Sequence, residues 1–205
     1  MENVTNSDNK EWMQEIWDWA DKAQIDESII PRESKELIEL KILHVIDNSE
    51  LKEVPESIGN LKNLEDFTLK GTNIIKLPES IGQLSKLKKL IIDYNYKLTD
   101  LPESIINLKN LEDFVLEGSE VKKIPDNIGK LSNLISFTIS GNTKLTDYPK
   151  SIGDLVNLEN LSMGVNNIKK LLDNIVNLSN LKKLKIFSAD KLTALPEDLK
   201  NLKNL

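Results

Sequence analysis

Apolar residues recur along this chain in a fixed figure. A leucine is followed three positions on by an apolar residue, then by a second one two positions later. In all copies but the last, the figure closes on a small polar residue. It begins at Leu40, Leu64, Leu87, Leu111, Leu134, Leu158 and Leu181, and Leu205 opens another. The third copy reads Leu87, Leu90, Ile92 and Asn95, the fifth Leu134, Phe137, Ile139 and Asn142. Apolar residues two apart lie on one side of an extended chain, so each copy predicts a short strand with that side turned inward. A single strand cannot bury it. Stacked copies form a parallel sheet over a shared leucine core. Strands about 4.8 Å apart on one edge and bulkier segments on the other force the stack to curve.

The prolines carry the same period. Pro31, Pro55, Pro78, Pro102, Pro125, Pro149 and Pro196 are separated by 24, 23, 24, 23, 24 and 47 residues. The last interval skips one proline, and Leu172 stands in its place. Proline is tolerated at a first helical turn, where its missing N–H does no harm. Acidic residues after it, such as Glu79, favour the positive end of a short helix. Each return segment is therefore expected to hold a brief 3₁₀ or helical turn. Glycines recurring there, such as Gly59, Gly82, Gly129 and Gly153, are assigned to the turn. The strict alternation of 24 and 23 makes a 47-residue double unit, read as duplication of a two-repeat block with a loop insertion tolerated at the strand exit.

The closing polar position is expected to turn the chain out of the strand. Asn48, Asn95, Asn142 and Asn166 can satisfy backbone groups of neighbouring turns. Thr72 and Ser119 substitute in part through their hydroxyls. Ala189 cannot, so the last turn is expected to be the weakest.

Before the repeats, Asp8 to Ala23 reads as an amphipathic helix, with Asp8 as N-cap and Glu11 completing a capping box. At about 100° per residue, Trp12, Ile16, Trp19 and Ala23 share one face, flanked by Met13 and Ala20. Trp17 lies at the margin and is expected to be the most exposed tryptophan. Such a helix suits the open end of a stacked core. Residues 1–30 are thus expected to form a cap and linker, and 31–205 a half-repeat plus seven repeats. In the half-repeat, Leu37 and Leu40 match Leu61 and Leu64.

These residues resemble the leucine-rich-repeat family in the form LPxxIGxLxxLxxLxLxxN, as in bacterial cytoplasmic repeat proteins and Ras-binding repeat scaffolds. The resemblance covers residues 30–205. It implies an α/β fold: a curved, right-handed solenoid with a parallel concave sheet, short helical or 3₁₀ convex turns and an N-terminal helical cap. For function it implies that the family generally binds proteins.

Composition narrows the chemistry. A formal charge of −6 disfavours nucleic acid. The absence of cysteine excludes disulfides, thiolate metal sites and thiol catalysis, and leans towards a reducing, cytoplasmic location. The first residues lack the basic and apolar regions of a cleavable signal peptide, leaving a secreted effector without one as the alternative. No apolar run is long enough to span a membrane. The lone histidine, His44, reads as a surface residue. With no glycine-rich phosphate loop and no paired carboxylates, the expectation is a non-enzymatic chain without cofactor or metal.

The binding surface is expected on the outward residues of the concave sheet. The candidate partner-binding residues are His44, Ile46, Asp66, Thr68, Lys70, Lys89, Ile91, Asp93, Tyr94, Asp113, Val115, Glu117 and Thr138. Ile91 and Val115, beside Tyr94 and ringed by charge, form an apolar centre with a polar rim. Charges also alternate between repeats after each leading leucine (Glu65-Asp66, Lys88-Lys89, Glu112-Asp113), which reads chiefly as lateral pairing between strands. The expected partner is a protein or peptide. Two other readings stand beside it. One is self-assembly through the C-terminal edge strand, since an uncovered edge invites association. The other is that the repeats belong to a larger signalling, effector or enzymatic protein.

Overall fold

A computed structural model describes residues 8–188 and 191–205, with side chains from residue 10 onward. Seven strands form one sheet: β1 (Ile42–Ile46), β2 (Asp66–Lys70), β3 (Lys89–Asp93), β4 (Asp113–Glu117), β5 (Ser136–Ser140), β6 (Asn160–Gly164) and β7 (Lys183–Phe187). All neighbours are parallel and follow chain order. The register repeats without slippage, so Leu43, Phe67, Leu90, Phe114, Phe137, Leu161 and Leu184 form one inward row. A one-residue slip would turn every leucine to solvent, which is why the pattern fixes the pairing. Phe114 and Phe137 stack with ring centroids 5.1 Å apart. The sheet is open, and the molecule is a curved solenoid with a helix at its N-terminal end.

The return segments carry 3₁₀ turns, as the prolines predict. They begin directly after Pro55, Pro78, Pro102, Pro149 and Pro196, each with φ between −57° and −74°. Leu172 holds φ −66° and ψ 135° before the turn Asp173–Asn177, a backbone proline would also adopt. The acidic residue after proline works across repeats rather than on its own turn. Glu56 accepts hydrogen bonds from the backbone N–H of Ser80 (2.9 Å) and Glu79 (3.3 Å), and Glu79 accepts one from Ser104 N–H (3.1 Å). Slight burial pushes the Glu56 carboxyl up, but these N–H donors hold it below its ordinary value. Gly82 is needed for close approach, not for its turn: a Cβ there would collide with the Ser104 carbonyl of the next repeat.

Two asparagine ladders tie the repeats together. Within the expected one, Asn95 Nδ2 donates to the Leu69 carbonyl (2.8 Å), Asn142 Nδ2 to Leu116 (3.0 Å) and Asn166 Nδ2 to Ile139 (2.9 Å). Asn48 has no earlier repeat and donates instead to the Ala23 carbonyl of the helix end (2.7 Å). Ala189, expected to weaken the last turn, lies outside the described residues. A second ladder stands just before the leading leucines. Asn63, Asn110, Asn133, Asn157, Asn180 and Asn204 each donate Nδ2 to a carbonyl 24 or 25 residues earlier.

The cap is α1 (Asp8–Lys22). Asp8 is the first described residue of the helix, and its side chain, on which the expected cap depends, lies outside the described residues. Met13, Ile16, Trp19, Ala20 and Ala23 are buried in the same core as the repeats, while Trp12 and Trp17 are half-buried against it. The buried face is therefore centred one step round from the expected one, with Met13 inside where Trp12 was placed. Trp17 is not left to solvent either. The linker folds back past it, and Trp17 Nε1 donates to the Pro31 carbonyl (2.9 Å). Trp19 Nε1 donates to the Glu53 carbonyl (2.8 Å), fixing the cap on the first repeat. A single-turn helix, α2 (Ser34–Ile38), stands where the half-repeat was expected, with Leu37 buried and Leu40 half-buried.

Candidate protein-binding face

Outward positions of the strands make three rows across the sheet. The central row runs His44, Thr68, Ile91, Val115, Thr138, Ser162 and Lys185. Ile91 and Val115 are register partners and both half-buried; Thr68 beside them is buried. The centre is thus less exposed than an apolar hot spot would be. Thr138 is half-buried as well.

The strand-entry row is Ile42, Asp66, Lys89, Asp113, Ser136, Asn160 and Lys183. Asp66 has a basic side chain on either side. His44 Nε2 lies 3.0 Å from Asp66 Oδ1, off the hydrogen-bond axis, and Lys89 Nζ lies 4.0 Å from Oδ2. Half-burial pushes the Asp113 carboxyl above its ordinary value. A hydrogen bond from Ser136 and the charge of Lys89 oppose that rise, and Asp66 adds to it. Lateral pairing between repeats is present: Lys88 meets Glu65 at 2.9 Å and Lys182 meets Glu159 at 2.7 Å.

The strand-exit row is Ile46, Lys70, Asp93, Glu117, Ser140, Gly164 and Phe187. Lys70 Nζ pairs with Asp93 Oδ2 at 2.9 Å and sits 5.4 Å from the Tyr94 ring centroid. That hydrogen bond, and the Asp93 charge behind it, raise the Lys70 pKa. Exposed apolar area on this face lies at its ends and exit edge, on Ile42, Ile46, Tyr94, Val165 and Phe187. Ile42 and Phe187 were outside the expected binding set. Both stand in the outward rows, on the first and last strands, where a strand lies on one side only.

One column was missed entirely. The residue leaving each strand is left-handed: Asp47, Gly71, Tyr94, Gly118, Gly141, Val165 and Ser188 all have φ between +46° and +67°. Three of the seven are glycine, the residue this conformation favours. Tyr94 holds φ +53° with a bulky side chain, and its ring lies against the bare Cα of Gly118. The recurring glycines were the available signal.

A family model described as a leucine-rich repeat region matches residues 21–100 and 94–205. The chain belongs to the leucine-rich-repeat family, a fold commonly used for protein–protein interaction. No curated protein matches the sequence. Among solved structures, the Leptospira interrogans leucine-rich-repeat protein LIC12759 is 29% identical with a TM-score of 0.58 over 82% of this chain. The chain spans 48% of that protein. The leucine-rich-repeat domain of the type III effector XCV3220 (XopL) aligns over all of this chain and 82% of its own, with a TM-score of 0.67; at 23% identity it speaks for the fold alone. The plant peptide hormone receptor RGFR1, solved in complex with RGF2, is 26% identical over 82% of this chain and 30% of its own, with a TM-score of 0.63.

Among the described residues, no group of three or more His, Asp or Glu side chains is arranged to hold a metal ion, and no helix is long and apolar enough to cross a membrane.

Proposed function

We propose that this chain is a non-enzymatic interaction module that holds a partner protein or peptide on the concave face of its sheet. One observation carries the reading. The inward rows of β1 to β6 are sealed, yet the outward rows present exposed Ile42 and Ile46, and the residue leaving β3, Tyr94, is exposed beside them among charged side chains. Nothing in the fold requires those apolar residues to face outward. Mixed apolar and polar surfaces of this kind suit recognition. Membership of the repeat family, and the likeness to a receptor solved with RGF2, support a protein or peptide as the kind of partner.

The test is capture of partner from source-cell lysate by the wild-type chain and by a double variant, Ile91→Glu with Val115→Lys. Charges set at the centre of a desolvated contact are costly, so the variant should lose the captured species. Because both side chains are half-buried, a thermal melt must accompany the assay. Leu90→Ala, an inward control, should cost roughly 2–5 kcal/mol of stability and reduce capture only as far as it unfolds the chain. Undiminished capture by a folded double variant would move the site off this face. The absence of cysteine favours a reducing, cytoplasmic setting, with a secreted effector as the alternative; cell fractionation tests it.

A second reading is self-association through the β7 edge. Leu184 and Ile186 are only half-buried, whereas every inward residue of the six preceding strands is buried. Sedimentation velocity over a concentration series should then show dimers that Leu184→Lys abolishes. A monomer throughout would remove this reading.

A further inference from the structure

We infer that the strand-exit edge around Asp93, Tyr94 and Glu117 is a recognition point for an arginine side chain of the partner protein. The inference rests on the concave-face reading and names the chemistry it selects. Asp93 is the pivotal residue. It is only 8% exposed, and its Oδ1 is buried with no hydrogen-bond partner, while Oδ2 takes the Lys70 ammonium. A buried carboxylate oxygen without a donor is a costly arrangement. The neighbouring Glu117 is its register partner on β4 and receives only a long 3.4 Å hydrogen bond from Ser140. Asp47 adds a third carboxylate near Lys70, whose pKa it helps raise. The local balance is three carboxylates against one ammonium, so an incoming cation is favoured.

The shape narrows the cation. Lys70 is a single point charge and satisfies one Asp93 oxygen. Its side chain is 41% exposed. A planar guanidinium presents a fork of donors; Asp93 Oδ1 is closed to solvent, so the fork is offered to the half-buried Glu117 carboxylate beside it, with Asp93 adding its charge. Beside that carboxylate stand two exposed aromatic rings, Tyr94 and Tyr96, 45% and 66% exposed with centroids 6.1 Å apart. Their faces suit stacking with a guanidinium more than with an ammonium. Lys70 already occupies a cation position over Tyr94.

The experiment uses the whole chain and three peptides of the form acetyl-Gly-Ser-X-Ser-Gly-amide, with X as arginine, lysine or citrulline. Binding is followed by ¹H–¹⁵N chemical shifts. The arginine peptide should move the amides of Asp93, Tyr94 and Gly118 and bind at least tenfold more tightly than the isosteric, uncharged citrulline peptide. The lysine peptide should fall between them. Asp93→Asn should remove the arginine preference. If that variant is poorly folded, Glu117→Gln should weaken the preference without touching the buried pair. Equal binding of arginine and citrulline peptides, no binding, or shifts confined to other regions would overturn the inference. Lysate capture then separates the two claims. Capture that survives Asp93→Asn but not the Ile91/Val115 double variant sinks the arginine site and leaves the concave face standing. Capture that survives both sinks the face itself.

Discussion

Thr72 Oγ1 donates a 2.5 Å hydrogen bond to Asn95 Oδ1, whereas 47 residues on, Ser119 Oγ and Asn142 Oδ1 are both buried without partners. The two pairs occupy equivalent places in successive double units. The Thr72 backbone N–H also donates to Asn95 Oδ1 (3.1 Å), so that oxygen is fully used. Serine lacks the β-methyl that restricts the threonine side-chain torsion, and its hydroxyl points away.

Ser119→Thr should therefore stabilise the fold. Restoring one buried hydrogen bond contributes about 0.5–1.5 kcal/mol. A urea midpoint that rises with an unchanged slope would bear this out. A lower midpoint would mean that the pocket around Ser119 has no room for the methyl group.

The left-handed column gives a second handle. Val165 holds φ +51° and is exposed, so its side chain contributes little packing where it stands. A β-branched residue in this conformation costs roughly 1–2 kcal/mol, and glycine's extra unfolded-state freedom returns about 0.5–1 kcal/mol of that. Val165→Gly should raise stability by the difference, up to ~1 kcal/mol. Calorimetry on the pair decides it: a lower melting temperature in the variant would show that Val165 packs against something of value.

Much of this architecture is legible in the sequence, because periodicity reports what each side chain must bury. The period-two leucines fix the strands and their register, and the prolines fix the 3₁₀ turns. Interactions that depend on the neighbouring repeat are less legible. Glu56 looks like a helix-start residue of its own turn, yet it serves Ser80. Asn63 and its equivalents look like loop residues, yet they bridge repeats. The left-handed column hides because Asp47, Tyr94, Val165 and Ser188 share no residue type. At the candidate face, the rows follow directly from the register. Their exposure does not, since Ile91 is half-buried and Ile46 is exposed.

Leu172 offers a test of the repeat rule itself. Its backbone already matches the proline-bearing repeats, and its N–H makes no hydrogen bond among the described residues. Proline would narrow the unfolded ensemble without breaking a bond, but it would remove the half-buried leucine side chain packed on the core. Leu172→Pro should be neutral or add up to ~1 kcal/mol. A loss of several kcal/mol in chemical unfolding would place the value of this position in its side chain rather than its backbone.

Tyr148 makes stability depend on pH at the alkaline end. It stands at the pre-proline position that Leu77 and Leu101 fill in other repeats, and it is buried there. Burial pushes its pKa up to about 12; the hydrogen bond its hydroxyl accepts from Asn166 Nδ2 (2.8 Å) works the other way and only trims the rise. The sign follows from linkage. Below the ordinary tyrosine value near 10 the hydroxyl is protonated in both states, and its contribution is intact. Between about 10 and 12 the unfolded chain loses this proton while the folded chain keeps it, so unfolding becomes more favourable as pH rises. A rise of that size corresponds to roughly 2–3 kcal/mol of stability lost across the window. Tyr148→Phe has no such proton, so its stability should fall less steeply than wild type from pH 10 to 12, measured by urea unfolding at each pH. Parallel slopes for the two proteins would show that Tyr148 titrates as it would in water.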